Sequence, residues 1–202
     1  MNAFGSRCPR RSLVKALLGA SLLSLAFASS GGSTTPASAH SRGPAASGHH
    51  CIVHISPVLP GHASSQMSAP RCFATFRQAI SAATSGAVRL SSTVTPRTLT
   101  ARLLRPERLT ATVVLSIDYV NSNYQGNSLT WYDSGTAGCA AFTYSASSMP
   151  SGWNDVVSSS HRYDSCTHNP HYEHVNFGGA IYPCTCATMG VMNDKTSSEK
   201  WS

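Results

Sequence analysis

The sequence predicts a mainly β protein: an antiparallel sandwich of two related units, preceded by a small α+β segment and an export signal. Three observations carry this reading. From Thr112 onward, short β-rich runs alternate with Gly, Asn and Ser turns, which is the texture of a sandwich. Within that half, Trp153-Asn154-Asp155-Val156-Val157-Ser158-Ser159 has a near copy in Met192-Asn193-Asp194-Lys195-Thr196-Ser197-Ser198, and Tyr119 stands seven residues before Gly126 as Tyr172 does before Gly179. Ahead of Thr112 the pattern is different: one β-branched run, then one helical period.

The 202-residue chain begins with a basic stretch, Arg10-Arg11-Ser12-Leu13-Val14-Lys15, followed by the apolar run from Ala16 to Ala28 and by small-residue cleavage sites at 26–28 or 37–39. That run is too short to span a bilayer. Residues 1–39 therefore read as a signal peptide, and a secreted protein with no membrane span is expected. The arginine pair fits a twin-arginine signal except that Leu13 stands where that pattern has Phe; a general secretory signal fits too, and both export the chain. Residues 40–50, rich in Ser, Gly, Ala, Pro and His, read as a flexible linker.

Cys8 leaves with the signal, and six cysteines remain: Cys51, Cys72, Cys139, Cys166, Cys184 and Cys186. An even count in an exported protein points to disulfides. Position pairs Cys51 with Cys72. The other four allow three pairings, of which a direct Cys184–Cys186 bridge is disfavoured by the one-residue gap. Zinc held by these thiols would need paired short spacings that are absent.

Residues 51–110 read as a small disulfide-tied α+β segment. Cys51-Ile52-Val53-His54-Ile55 alternates as a strand does, and Pro57 and Pro60 end it. Phe73, Phe76, Ile80 and Ala83 fall at helical spacing, with Gly86 as the stop. Val88 to Leu90 suggests a further strand, and Leu99, Leu103 and Leu104 a weak helical signal. So small a segment has a marginal core of its own, so it should lean on its disulfide or on the next domain.

Charge divides the chain. Residues 1–110 carry twelve Lys and Arg against Glu107 alone, a net of plus eleven; residues 111–202 carry three against seven acids, a net of minus four, which together give the overall +7. The basic side can dock on the acidic half or meet an anionic surface. Its arginines lack the interleaved aromatics of a nucleic-acid groove, so no nucleic-acid partner is expected.

Residues 112–202 form the main domain. Val113–Tyr119, Leu129–Tyr132, Ala141–Tyr144, Val156–Val157 and Arg162–Tyr163 are the expected strands of the first unit. His171–His174, Ala180–Tyr182, the 184–187 region and Lys200–Trp201 mirror them in the second.

On these residues, the step from Tyr119 to Gly126 followed by Ser128, its counterpart from Tyr172 to Gly179, and the twin Asn-Asp-x-x-Ser-Ser loops, the chain resembles the βγ-crystallin superfamily in its microbial calcium-binding branch. The resemblance implies two Greek-key motifs packed as one β-sandwich over residues 112–202. It also implies two calcium sites built crosswise. One loop gives a third-position carbonyl and a fifth-position hydroxyl, from Val156 and Ser158 or from Lys195 and Ser197. The other loop gives the carboxylate of Asp194 or Asp155, and a carbonyl near Val120 or Glu173 closes each set. Asn154, Asn193, Ser159 and Ser198 would shape the loops. Ala180, where the family has a serine, is expected to weaken the second hairpin. Calcium accepts such mixed oxygen sets, whereas Asn, Asp and Ser also serve simply as turn formers.

Other signals are weaker. His168, His171 and His174, with Glu173, invite a zinc reading, but Pro170 breaks any helix there and a strand would turn His171 and His174 to opposite sides, so no zinc site is expected on them. Trp131, Tyr132, Trp153, Phe177 and Trp201 are better placed to pack a core than to bind sugar. No nucleophile elbow, zinc-protease helix or phosphate loop is present, so no enzyme is expected. Three roles follow from the resemblance: a calcium-stabilised structural or binding domain, an inhibitor of an extracellular metalloproteinase presenting 166–171 or 183–186, and a killer-toxin-like protein acting on a cell-surface target.

Overall fold

A computed structural model describes residues 49–105, 112–135, 137–183 and 186–202. The expected signal peptide and nearly all of the linker lie outside the described residues. In chain order the elements are β1 (His50–His54), β2 (Arg71–Phe73), α1 (Phe76–Ala83), β3 (Val113–Asn121), β4 (Gln125–Asp133), β5 (Tyr144–Ala146), β6 (Ser159–Arg162), β7 (His171–His174), β8 (Gly178–Tyr182) and β9 (Ser198–Trp201). They form two sheets, ordered β2-β1-β4-β3-β6 and β5-β9-β7-β8.

The two related units exchange strands. β5 belongs by sequence to the first unit, yet it pairs antiparallel with β9 of the second. In return, residues 186–189 run beside β6: Ser160 N donates to Cys186 O at 3.1 Å and Met189 N to Ser158 O at 2.9 Å. Each unit thus lends its third segment to the other's sheet, which is the Greek-key connection. The Val156–Val157 stretch, expected as a strand, lies in the loop that makes this crossing. Val88–Leu90 likewise forms no strand.

Between the sheets the core is built from both halves. Leu115, Leu129 and Trp131 of the first sheet meet Tyr144, Ala146 and Trp201 of the second, with Met149, Trp153, Val157, Met189 and Met192 filling the ends. The Trp131 and Trp201 rings lie 5.0 Å apart, both with no exposed surface; with Trp153 they serve the core, while Tyr132 and Phe177 are half-buried.

The segment before Thr112 extends the first sheet. β1 runs parallel to β4, with Cys51 opposite Leu129 and Val53 opposite Trp131, and β2 pairs with β1 so that Cys51 faces Cys72 across the ladder. Those two cysteines are bonded. Thr75 caps α1 through a capping box with Gln78, and Gly86, in the left-handed region at φ 80°, accepts the reversal that ends it. The apolar face of α1 then covers the outer side of the sheet. Phe76 and Ile80, with Val88, Leu99 and Leu104, pack on Val114, Ile117, Tyr119 and Tyr163. The arginines at 71, 77, 89, 97, 102 and 105 stay exposed.

Burial on both faces explains why β3 reads as a continuous run, Val-Val-Leu-Ser-Ile-Asp-Tyr, instead of alternating. A register shift between Val114 and Ser116 also changes its parity. Leu115 points into the sandwich, and after the shift Ser116 and Asp118 point inward while Ile117 and Tyr119 face α1. One extra residue therefore delivers a carboxylate to the core.

Cys139 and Cys166 form the second disulfide. This is the pairing that sets Cys184 and Cys186 apart from the other two, the arrangement the one-residue gap argued against. Cys186 is itself disulfide-bonded, while Cys184 lies outside the described residues.

Replacing Trp201 by Ala should lower stability by about 3–5 kcal/mol in urea unfolding. Val191→Ala, at a side chain 78% exposed, should stay within about 0.5 kcal/mol.

Candidate metal centre

The two acidic loops adopt the same conformation. Asp155 and Asp194 both sit in the left-handed region, at φ 56° and 55°, which Asp tolerates better than most residues. Trp153 and Met192 are buried just ahead of them, the Asn and Asp side chains are exposed, and the paired serines are buried. Each loop is thus an exposed acidic turn pinned at both ends.

The pins are reciprocal. Asp155 N donates to Thr196 O and Asp194 N to Val157 O, both at 3.0 Å. Ser158 Oγ lies 2.8 Å from Asp194 Oδ1 and 2.9 Å from Val120 O, so three of the expected oxygen donors converge at one point. In the mirrored position Ser197 Oγ lies 3.2 Å from Asp155 Oδ1. Asn154 Nδ2 donates to Asp155 Oδ2 and fixes that carboxylate.

The remaining named residues fall around this pair. Val156 packs at the edge of the core. The ammonium of Lys195 lies 3.8 Å from Glu173 Oε1, and its backbone amide donates to Met192 O at 3.1 Å. Asn193 N donates to Gly190 O at 3.2 Å. Of the segments named for protease inhibition, 166–171 has Asn169 and His171 fully buried, and 183–186 lies partly outside the described residues.

The hairpins repeat just as closely. In both, residues at matching places take positive φ: Asn123, Tyr124 and Gly126 in one, Asn176, Phe177 and Gly179 in the other. A Cβ on Gly126 would come within 2.8 Å of Val120 Cγ2, and one on Gly179 within 2.9 Å of Glu173 Cβ, so both positions require glycine for conformation and for space. Tyr119 stacks edge-on against Tyr124 at 5.7 Å, and Tyr172 against Phe177 at 5.5 Å.

Ser159 and Ser198 lock these hairpins. Ser159 Oγ donates to Asn121 O at 2.7 Å and accepts from Tyr124 N at 3.0 Å; Ser198 Oγ makes the same two bonds, to His174 O and from Phe177 N, at the same distances. Ser128 stands elsewhere, against the His50 ring at 2.9 Å. Ala180 makes neither of these bonds, and the place across from Tyr172 that Ser128 holds across from Tyr119 is taken by Ile181. The sequence marks Ser159 and Ser198 only as loop formers; their shared place, five residues after Asn154 and Asn193 in the two loop copies, is the signal of a common role.

Two strand-exchanged Greek keys with paired Asn-Asp loops at one end make up a two-sheet β-sandwich. The chain is similar in structure to a βγ-crystallin from an archaeon, with 20% sequence identity and a TM-score of 0.33, over 45% of this chain and 99% of that one. No family model matches the chain, and no curated protein matches its sequence.

Ser198→Ala should cost about 1–3 kcal/mol in chemical denaturation, because it strands a carbonyl and an amide in the second hairpin. Ala180→Ser should change stability by less than about 0.5 kcal/mol.

Proposed function

We propose that the protein is a secreted, disulfide-braced domain that binds calcium at the paired loops and has a structural or binding role without catalysis. The convergence of Ser158 Oγ, Asp194 Oδ1 and Val120 O from three separate segments is the observation that carries this reading. Oxygens 2.8–2.9 Å apart are spaced as neighbouring ligands on a calcium ion with bonds of roughly 2.3–2.6 Å. The donors are of the hard, mixed kind that calcium takes: carboxylate, hydroxyl and carbonyl.

The first site would use Val156 and Val120 through their carbonyls with Ser158 and Asp194. Its counterpart would use Lys195 and Glu173 through their carbonyls with Ser197 and Asp155. Lys195 fits this role because its ammonium is occupied with Glu173. Each ion would bridge both Greek keys, replacing the Ser–Asp hydrogen bonds with shared ligation. The disulfides support export to an oxidising compartment. Among the described residues no helix is long and apolar enough to cross a membrane.

One carboxylate per site makes for modest affinity, with dissociation constants of about 10⁻⁴ to 10⁻³ M. An ion at ~100 times its dissociation constant adds about 2.7 kcal/mol, which should raise the melting temperature by roughly 5–10 °C per site. Replacing both Asp155 and Asp194 by Ala should abolish that rise. Titration calorimetry of the purified protein that yields no calcium-dependent heat would refute the assignment.

A further inference from the structure

Asp118, His171 and Glu199 meet in the interior between the sheets. The β3 register shift turns Asp118 inward, and His171 on β7 is the direct cross-strand partner of Glu199 on β9. All three are fully buried. One ligand atom from each lies within 4.8 Å of the others.

The hydrogen bonds around the cluster are one-sided. Trp131 Nε1 donates to Asp118 Oδ2 at 2.7 Å, and Asn169 Nδ2 donates to Glu199 Oε2 at 3.3 Å. The opposite oxygens, Asp118 Oδ1 and Glu199 Oε1, have no hydrogen-bond partner, and neither ring nitrogen of His171 has one. His171 Nδ1 and Glu199 Oε1 are 3.3 Å apart without the alignment of a hydrogen bond. That distance matches an edge of a tetrahedron with bonds of about 2.0–2.1 Å.

We propose that Asp118, His171 and Glu199 form an interior site for one first-row divalent transition ion, with zinc the expected occupant. Each carboxylate is tied by one oxygen and presents the other, as metal ligands oriented by outer partners do. An imidazole among the ligands favours a transition metal over calcium or magnesium. Buried oxygens without partners on neighbouring Asn169 and Ser160 are candidates for a fourth position.

Charge balance points the same way. Two unpaired carboxylates in a dry interior are costly, and a divalent cation neutralises both. A proton shared between Asp118 and Glu199 is the competing way to neutralise the pair. Because the site has no exposed surface, an ion would enter as the chain folds.

The test is to unfold the purified protein with a chelator, refold it with cobalt(II) in excess calcium, and remove unbound metal. The expected product carries one cobalt per chain and the visible d–d bands of a low-coordinate ion. The bands should persist in Asp155→Ala/Asp194→Ala, which lacks the loop carboxylates, and vanish in Asp118→Asn and His171→Gln. Refolded wild-type protein free of cobalt overturns the proposal in favour of the shared proton, whether or not the variants fold. Cobalt lost only on removing the loop carboxylates overturns it equally.

Discussion

Each acidic loop is completed by the other. Asp155 and Asp194 donate their backbone amides to the opposite loop and accept hydroxyls from it, so neither turn is complete without the other. Combined with the exchange of third segments between sheets, this makes the two Greek keys a single folding unit. The duplication therefore has a structural consequence before any ion is considered.

The second constraint is the double burial of β3. Its outer face needs a cover, and α1 with the Val88–Leu104 loops supplies one, while β1 and β2 protect an edge that a bare sandwich would expose. The segment before Thr112 thus takes its stability from the sheet it covers and from the Cys51–Cys72 bond. The register shift that β3 needs to serve both layers is also what sends Asp118 inward. Packing geometry and interior chemistry come from the same irregularity.

Features written in local backbone demands were legible in the sequence. Left-handed φ at Asp155, Asp194, Gly126 and Gly179 restricts the residue types allowed, and repetition at matching places made the pattern stand out. The strand at 50–54 and the helix at 76–83 followed from periodicity for the same reason. Features made by long-range pairing were hidden. The parallel match of β1 with β4, the Cys139–Cys166 bond and the hairpin locks at Ser159 and Ser198 depend on partners far along the chain. Asp118 and Glu199 each sit in an unremarkable strand, and His171 looked like one of three scattered histidines; only the sandwich brings them together.

The central claim is that the loops act crosswise, each ion taking its carboxylate from one Greek key and its hydroxyl from the other. An anomalous difference map from crystals grown in millimolar calcium tests this directly. The account predicts an ion touching Ser158 Oγ, Asp194 and Val120 O together. An ion held by the Asp and Ser of a single loop, or only water between the loops, would contradict it.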